Sequence, residues 1–140
     1  MQVPSDGTTR ALGVSRLEKS VLTIYIENIG DMAVIECEGR IVQSEDALKL
    51  RKAVNLQADA RTIVLNLSEV SAIAGGGLGM LVFLQRWGQD HDIQLKLFNP
   101  RQSVRNMLEH ASSMRDFDIV TLDEMTALLA IANGRYARAA

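Results

Sequence analysis

The residues that could do chemistry stand in one short run, Ala74-Gly75-Gly76-Gly77-Leu78-Gly79, in which four of six are glycine. Glycine permits a positive φ and a close approach of backbone to a neighbour, and each one inside a helix costs about 1 kcal/mol relative to alanine, so this density needs a steric reason. One reason is a tight turn with a helix packed closely on a sheet. Another is a set of backbone amides left open to an anion at a helix N-terminus. The run has no Gly-Lys-Ser/Thr for a P-loop and misses the spacing of a dinucleotide fingerprint, so a small-ligand or nucleotide-binding protein is the weaker of these readings.

Elsewhere the chemistry is thin. His91 and His110 have no acid or nucleophile at motif spacing, which favours surface or capping roles and leaves no catalytic candidate. Asp116, Asp118, Asp123 and Glu124 lack the pattern of a calcium loop, and acids at a helix start account for half of them, so no metal is expected. Cys37, the single cysteine, cannot form an internal disulfide, and with two histidines it makes a poor metal set. No cofactor is implied.

The totals describe the scaffold that must position the glycine run. A chain of 140 residues, 47% hydrophobic and 23% charged with two prolines, suits one folded domain. Fifteen basic and seventeen acidic residues give a net charge of -2, without the positive field that nucleic-acid binding uses. The longest strongly apolar stretch, Leu78 to Leu84, is far short of the ~20 residues of a membrane span. The first residues lack the charged start and apolar core of a secretory signal. The expectation is a cytoplasmic protein with no nucleic-acid partner and no membrane insertion.

Residues 1–19 show no helical or strand period and read as a flexible leader, the domain as residues 20–133, and residues 134–140 as a frayed tail. Leu22, Ile24 and Ile26 alternate with Thr23, Tyr25 and Glu27, and Ala33, Ile35 and Cys37 with Val34, Glu36 and Glu38, predicting two half-buried strands joined around Ile29-Gly30-Asp31. Ser44 is placed to cap a helix over about 45–57 with Ala47, Leu50 and Val54 inward and Lys49, Arg51 and Lys52 in solvent. Ile63-Val64-Leu65-Asn66-Leu67 has apolar residues on both faces, as a central strand requires. A loop over 68–76, a helix over about 77–89 and a strand with Ile93, Leu95 and Leu97 should follow. Asn99-Pro100 should start a third helix with Val104, Met107, Leu108 and Ala111 inward. A short strand near Phe117–Val120 leads to Thr121 and Glu124 at capping-box spacing, opening a fourth helix that ends near Asn133-Gly134. The predicted fold is α/β, a mixed sheet of about five strands with about four helices.

This order of elements, with the segment Ile63-Val-Leu-Asn-Leu-Ser-Glu-Val-Ser-Ala-Ile-Ala74-Gly-Gly-Gly-Leu-Gly79, resembles the STAS domain family of the anti-sigma factor antagonists. Members of that family typically carry Asp-Ser-Ser/Thr-Gly-Leu-Gly, with a serine or threonine phosphorylated by a partner anti-sigma kinase. Carried over, Gly-Leu-Gly falls on Gly77, Leu78 and Gly79, the aspartate on Ala74, and the hydroxyl positions on Gly75 and Gly76. A second family acid, after the second strand, falls on Val42 of Gly39-Arg-Ile-Val42. Glycine can neither accept phosphate nor gain the charge of about -2 that phosphoserine carries, so no phosphorylation site is expected at the family position, Gly76. Ser68 and Ser71 lie nearby and are read as turn residues.

The resemblance implies a non-enzymatic protein-binding module, an anti-sigma factor antagonist-like regulator without the usual switch, whose partner is an anti-sigma factor or related regulatory protein. The alternative is a structural or accessory STAS subunit of a signalling scaffold or a lipid-transport complex. Association of copies of the chain is left open. The second helix puts Leu78, Leu81 and Val82 on one face and Met80, Phe83, Leu84 and Trp87 on another, so it is apolar nearly all round. The partner-binding residues are therefore expected to be Ala74, Gly75, Gly76, Gly77, Leu78, Gly79, Met80, Phe83 and Trp87.

Overall fold

The expected alternation carries through to the packing at Ala33, Ile35 and Cys37, whereas in the strand before it Leu22 is buried, Ile24 half-buried and Ile26 exposed. The computed structural model describes residues 22–111 and 117–139. The leader over 1–19, Asp116, Ala140 and the side chains of Ala111 and 135–139 lie outside what is described. The elements are β1 (Leu22–Ile29), β2 (Met32–Ile41), α1 (Ser44–Asn55), β3 (Thr62–Ile73), α2 (Gly76–Asp90), β4 (Gln94–Phe98), α3 (Gln102–Ala111), β5 (Ile119–Val120) and α4 (Leu122–Ala139). They form one mixed sheet in the order β1-β2-β3-β4-β5, with β1 antiparallel to β2 and the remaining pairs parallel.

The pleat sends Ala33, Ile35 and Cys37 of β2 and Ile63, Leu65 and Leu67 of β3 into one core, where Leu50 and Val54 of α1, Leu81 and Leu84 of α2, and Val104 and Leu108 of α3 cover them. Met32 and Val64 point the other way and meet Met125 and Ala132 of α4. Three helices thus lie on one face and α4 on the other, which is why β3 is apolar on both sides. Burying each large side chain of β3 contributes about 1.5 to 3 kcal/mol, so this strand is the most heavily invested part of the sheet.

Several boundaries differ from expectation, each for a physical reason. β3 runs on to Ile73, through most of the segment expected to be a loop. Its register against β2 shifts twice, between Glu36 and Glu38 and between Gly39 and Arg40, each shift placing an extra residue in β3. Buried positions therefore fall at Leu67, Val70 and Ile73, three apart, and the two-residue period disappears. At α1 the cap is not Ser44, which is already helical. The buried Asp46 carboxylate accepts hydrogen bonds from the backbone N–H of Gln43 (3.1 Å) and of Val42 (3.4 Å). Asn99-Pro100 does not start α3: Asn99 turns the chain at φ 55°, and the first helical bond is Arg105 N–H to Arg101 C=O at 2.8 Å. Met107 is exposed rather than in the core stripe of α3. α4 continues past Asn133-Gly134 to Ala139, in helix-favouring Arg- and Ala-rich sequence. Its expected capping box is present, with Thr121 N–H donating to Glu124 Oε1 at 2.8 Å and Glu124 N–H to Thr121 Oγ1 at 3.1 Å.

Cys37 is enclosed in β2, where burial, and then the charge of neighbouring Glu36, push its thiol from 9.0 up to about 12. The folded chain holds this proton more tightly than the unfolded one, so the protonated thiol costs nothing below pH 9 and stability falls as pH rises from 9 towards 12. Chemical denaturation across that window should show a loss that Cys37→Ala removes. At pH 8 a disulfide reagent should label Cys37 only as fast as the chain opens globally, and labelling at the rate of a free thiol would contradict its enclosure.

Candidate functional site

The glycine run sits at the C-terminal edge of the parallel strands, where β3 hands over to α2. Ala74 N–H still bonds the carbonyl of Ile41 at 3.3 Å, prolonging the β2–β3 pairing by one residue. Gly75 then takes φ 52° and ψ -123°, a conformation that side-chain-bearing residues avoid, and it turns the chain into the helix. Gly77 N–H bonds Ala74 C=O at 3.0 Å and Gly79 N–H bonds Gly75 C=O at 3.2 Å, closing the first turn.

The four glycines have different work. Gly77 is buried and faces the end of β2: a Cβ there would run into the carbonyl oxygen of Ile41, and would stand 2.7 Å from both the carbonyl carbon and Cγ2 of that residue. Gly77, counted among the expected contact residues, is thus the glycine that meets the expectation of a helix packed closely on the sheet. At Gly76 and Gly79 an added Cβ would meet nothing within 4 Å, and both positions face solvent.

The faces of α2 also differ from the sequence reading. Its core stripe is Gly77, Leu81, Leu84 and Gly88, so Leu84 shares the inner face. Leu78, Met80, Val82 and Trp87 are half-buried flanks packed on the core, and Phe83 stands 44% exposed. Trp87 stacks on His91 with ring centroids 4.6 Å apart, while His91 Nδ1 lies 2.8 Å from the Trp87 carbonyl at the helix end. His110 Nδ1 is likewise 2.7 Å from Asn106 C=O, so each ring contacts the backbone of its own helix.

Three residues outside the run, Val42, Leu48 and Arg51, were not among the expected contact residues. Val42, at the family's second acidic position, is exposed, and Asp46 beneath it ties down the backbone of residues 42–43. Arg51 of α1 places its guanidinium 4.9 Å from the centroid of the Phe83 ring. Leu48 of α1, outside the Ala47-Leu50-Val54 stripe, is exposed.

The nearby hydroxyls serve local structure. Ser68 Oγ donates to Asn66 Oδ1 at 2.6 Å and Ser71 Oγ to Gly39 C=O at 3.3 Å. Hollows of about 430 Å³ (with Asp31, Arg61 and Asp92) and about 440 Å³ (with Tyr25, Glu36 and Asn66) share no residue with the glycine run. Among the described residues no group of three or more His, Cys, Asp or Glu could hold a metal ion, and no helix is long and apolar enough to cross a membrane.

A family model described as the STAS domain matches residues 23–124. No curated protein sequence matches the chain. The fold superposes on the anti-sigma factor antagonist SpoIIAA in its unphosphorylated form, at 17% identity and TM-score 0.64, over 77% of this chain and 96% of that one. An anti-sigma factor antagonist from Mycobacterium paratuberculosis superposes at 18% identity and TM-score 0.65, over 78% and 94%. The murine Solute Carrier 26 family member A9 anion transporter superposes at 18% identity and TM-score 0.61, over 76% of this chain but 19% of its own. At these identities the likeness is one of fold.

Substitutions at the two kinds of glycine should move stability in opposite directions. Gly77→Val forces α2 off the end of β2 and should lower stability by about 1 to 3 kcal/mol or more, as overpacking does. Gly79→Ala adds a methyl group in open space and should raise it by up to about 1 kcal/mol through helix propensity alone. Urea unfolding of both variants measures this, and equal effects would refute the division of roles.

Proposed function

The chain belongs to the STAS domain family, and on that premise we propose that it is a non-enzymatic protein-binding module, an anti-sigma factor antagonist-like regulator whose contact loop carries no phosphorylation switch. One observation carries the reading. Gly76, which the resemblance aligns with the family's hydroxyl position, is solvent-facing with open space around it, and so is accessible to a partner but has no group to modify. Ala74 and Val42, at the family's acidic positions, add no charge, so the rim stays in one electrostatic state. The contact surface comprises the accessible part of the run together with Phe83 and the neighbouring flank of α2, and the partner is an anti-sigma factor or related regulatory protein. Two structures of similar fold bear the name anti-sigma factor antagonist.

A second reading is supported by the transporter neighbour, in which the same fold occupies 19% of a longer chain. A STAS unit can thus be an accessory part of a larger assembly, and a signalling scaffold or lipid-transport complex needs no phosphate on the loop.

Incubation with ATP and an anti-sigma kinase should leave residues 74–79 without phosphate, whereas stoichiometric label on Ser68 or Ser71 would show that a switch persists. Gly76→Asp tests the surface. The substitution starts a helix with an acid, which the helix dipole favours, so folding survives. At the interface it strands a charge, which should cost about 3 kcal/mol or more in affinity for a partner recovered by pull-down. Undiminished affinity would place the contact surface elsewhere.

A further inference from the structure

The two edges of the sheet are built differently. β5 closes one side with two residues, Ile119 and Val120, too short to seed further pairing. β1 closes the other with eight, Leu-Thr-Ile-Tyr-Ile-Glu-Asn-Ile. Proline, lysine and a bulge are the usual devices that blunt a long edge, and β1 has none of them: its register against β2 is unbroken. Among the described residues no further strand lies beyond it. The two-residue turn Gly30-Asp31, with Gly30 at φ 59°, makes Ile29 and Met32 a hydrogen-bonded pair. Alternation from there turns the N–H and C=O of Thr23, Tyr25 and Glu27 towards β2 and those of Ile24, Ile26 and Asn28 outwards. The side chains flanking this open ladder are apolar and uncovered. Tyr25 is 53% exposed on the α4 side of the sheet and Ile26 39% on the other side, where Ile24 packs on the main core.

We infer that β1 is the interface to a second copy of this chain: two β1 strands pair antiparallel about a twofold axis at Tyr25 and join two five-stranded sheets into one. The strand selects its own kind because it is self-complementary in that register. Tyr25 stands opposite the partner's Tyr25, Ile24 opposite the partner's Ile26, and Thr23 opposite the partner's Glu27. Aromatic meets aromatic, aliphatic meets aliphatic, and the strand's one charge meets a hydroxyl. Ile24 and the partner's Ile26 carry the outward N–H and C=O groups, so they exchange the hydrogen bonds. Other registers match less well. An axis at Glu27 sets two carboxylates face to face, one at Ile26 sets Ile24 against an asparagine, and one at Ile24 overlaps the strands only from Leu22 to Ile26. Leu22 pairs with Gly39, near the end of β2 that adjoins the glycine run, so antiparallel pairing sends the two runs to opposite ends of the dimer.

The test uses the full chain. Sedimentation should show a monomer–dimer equilibrium across the micromolar range. Under mild oxidation Tyr25→Cys should form a covalent dimer, because the axis sets the two Cα atoms about 4.5 Å apart, within reach of a disulfide. Thr23→Cys should not, since its own copies lie about 13 Å apart along the strands, but it should link to Glu27→Cys when the two variants are mixed. The buried Cys37 stays out of this exchange. Ile26→Lys should weaken dimerisation by at least about tenfold. If that variant fails to fold, Ile24→Pro serves, since it removes only an outward N–H. A monomer throughout, a dimer that Tyr25→Cys does not link, equal linking by Thr23→Cys, or a dimer indifferent to these edge substitutions would each overturn the inference. So would a chain that dimerises only after residues 1–19 are removed, because the edge would then belong to the chain's own leader.

Discussion

The geometry of the molecule turns on the contact between Gly77 and the backbone of Ile41. With no side chain at residue 77, α2 rests directly on the end of β2, beside the strand it has just left. That depth carries Leu81 and Leu84 into the main core. Gly75 then has to supply the turn, because a helix starting so close to the sheet leaves the chain no room for a gradual bend. The buried Asp46 carboxylate fixes the other side of the junction by holding residues 42 and 43. Conformation, close approach and capping at this corner form one arrangement, and the exposed rim is its outer surface.

Much of the architecture was legible because one side-chain period dominated each element. The hairpin of β1 and β2, the two-faced centre of β3 and the capping box of α4 follow from alternation or fixed spacing, and they stand where expected. The second half of β3 was hidden because two bulges turned its period from two to about three, which a local reading takes for a loop. The start of α3 was missed because asparagine both caps helices and tolerates positive φ, and only the three-dimensional path decides which it does at Asn99.

The site was legible as a place and in part as a set of roles. Glycine density marked the run and a helix packed closely on the sheet, and Gly77 makes that contact while Gly76 and Gly79 face open space. What no local pattern gives is the neighbour itself, Ile41, over thirty residues away in sequence. The contribution of α1 was hidden for the same reason, since Arg51 reads as a solvated charge until Phe83 is found beneath it.

The uneven covering of the sheet divides the molecule energetically. Among the described residues, α4 closes over a core of five buried side chains, while α1, α2 and α3 share one of twenty-one with the opposite face. Stability in proteins is released in cooperative pieces, and the piece with least buried apolar surface opens first. On this ground α4 is the element expected to lift from the sheet while the glycine junction stays intact, so its amides should exchange ahead of those of β3.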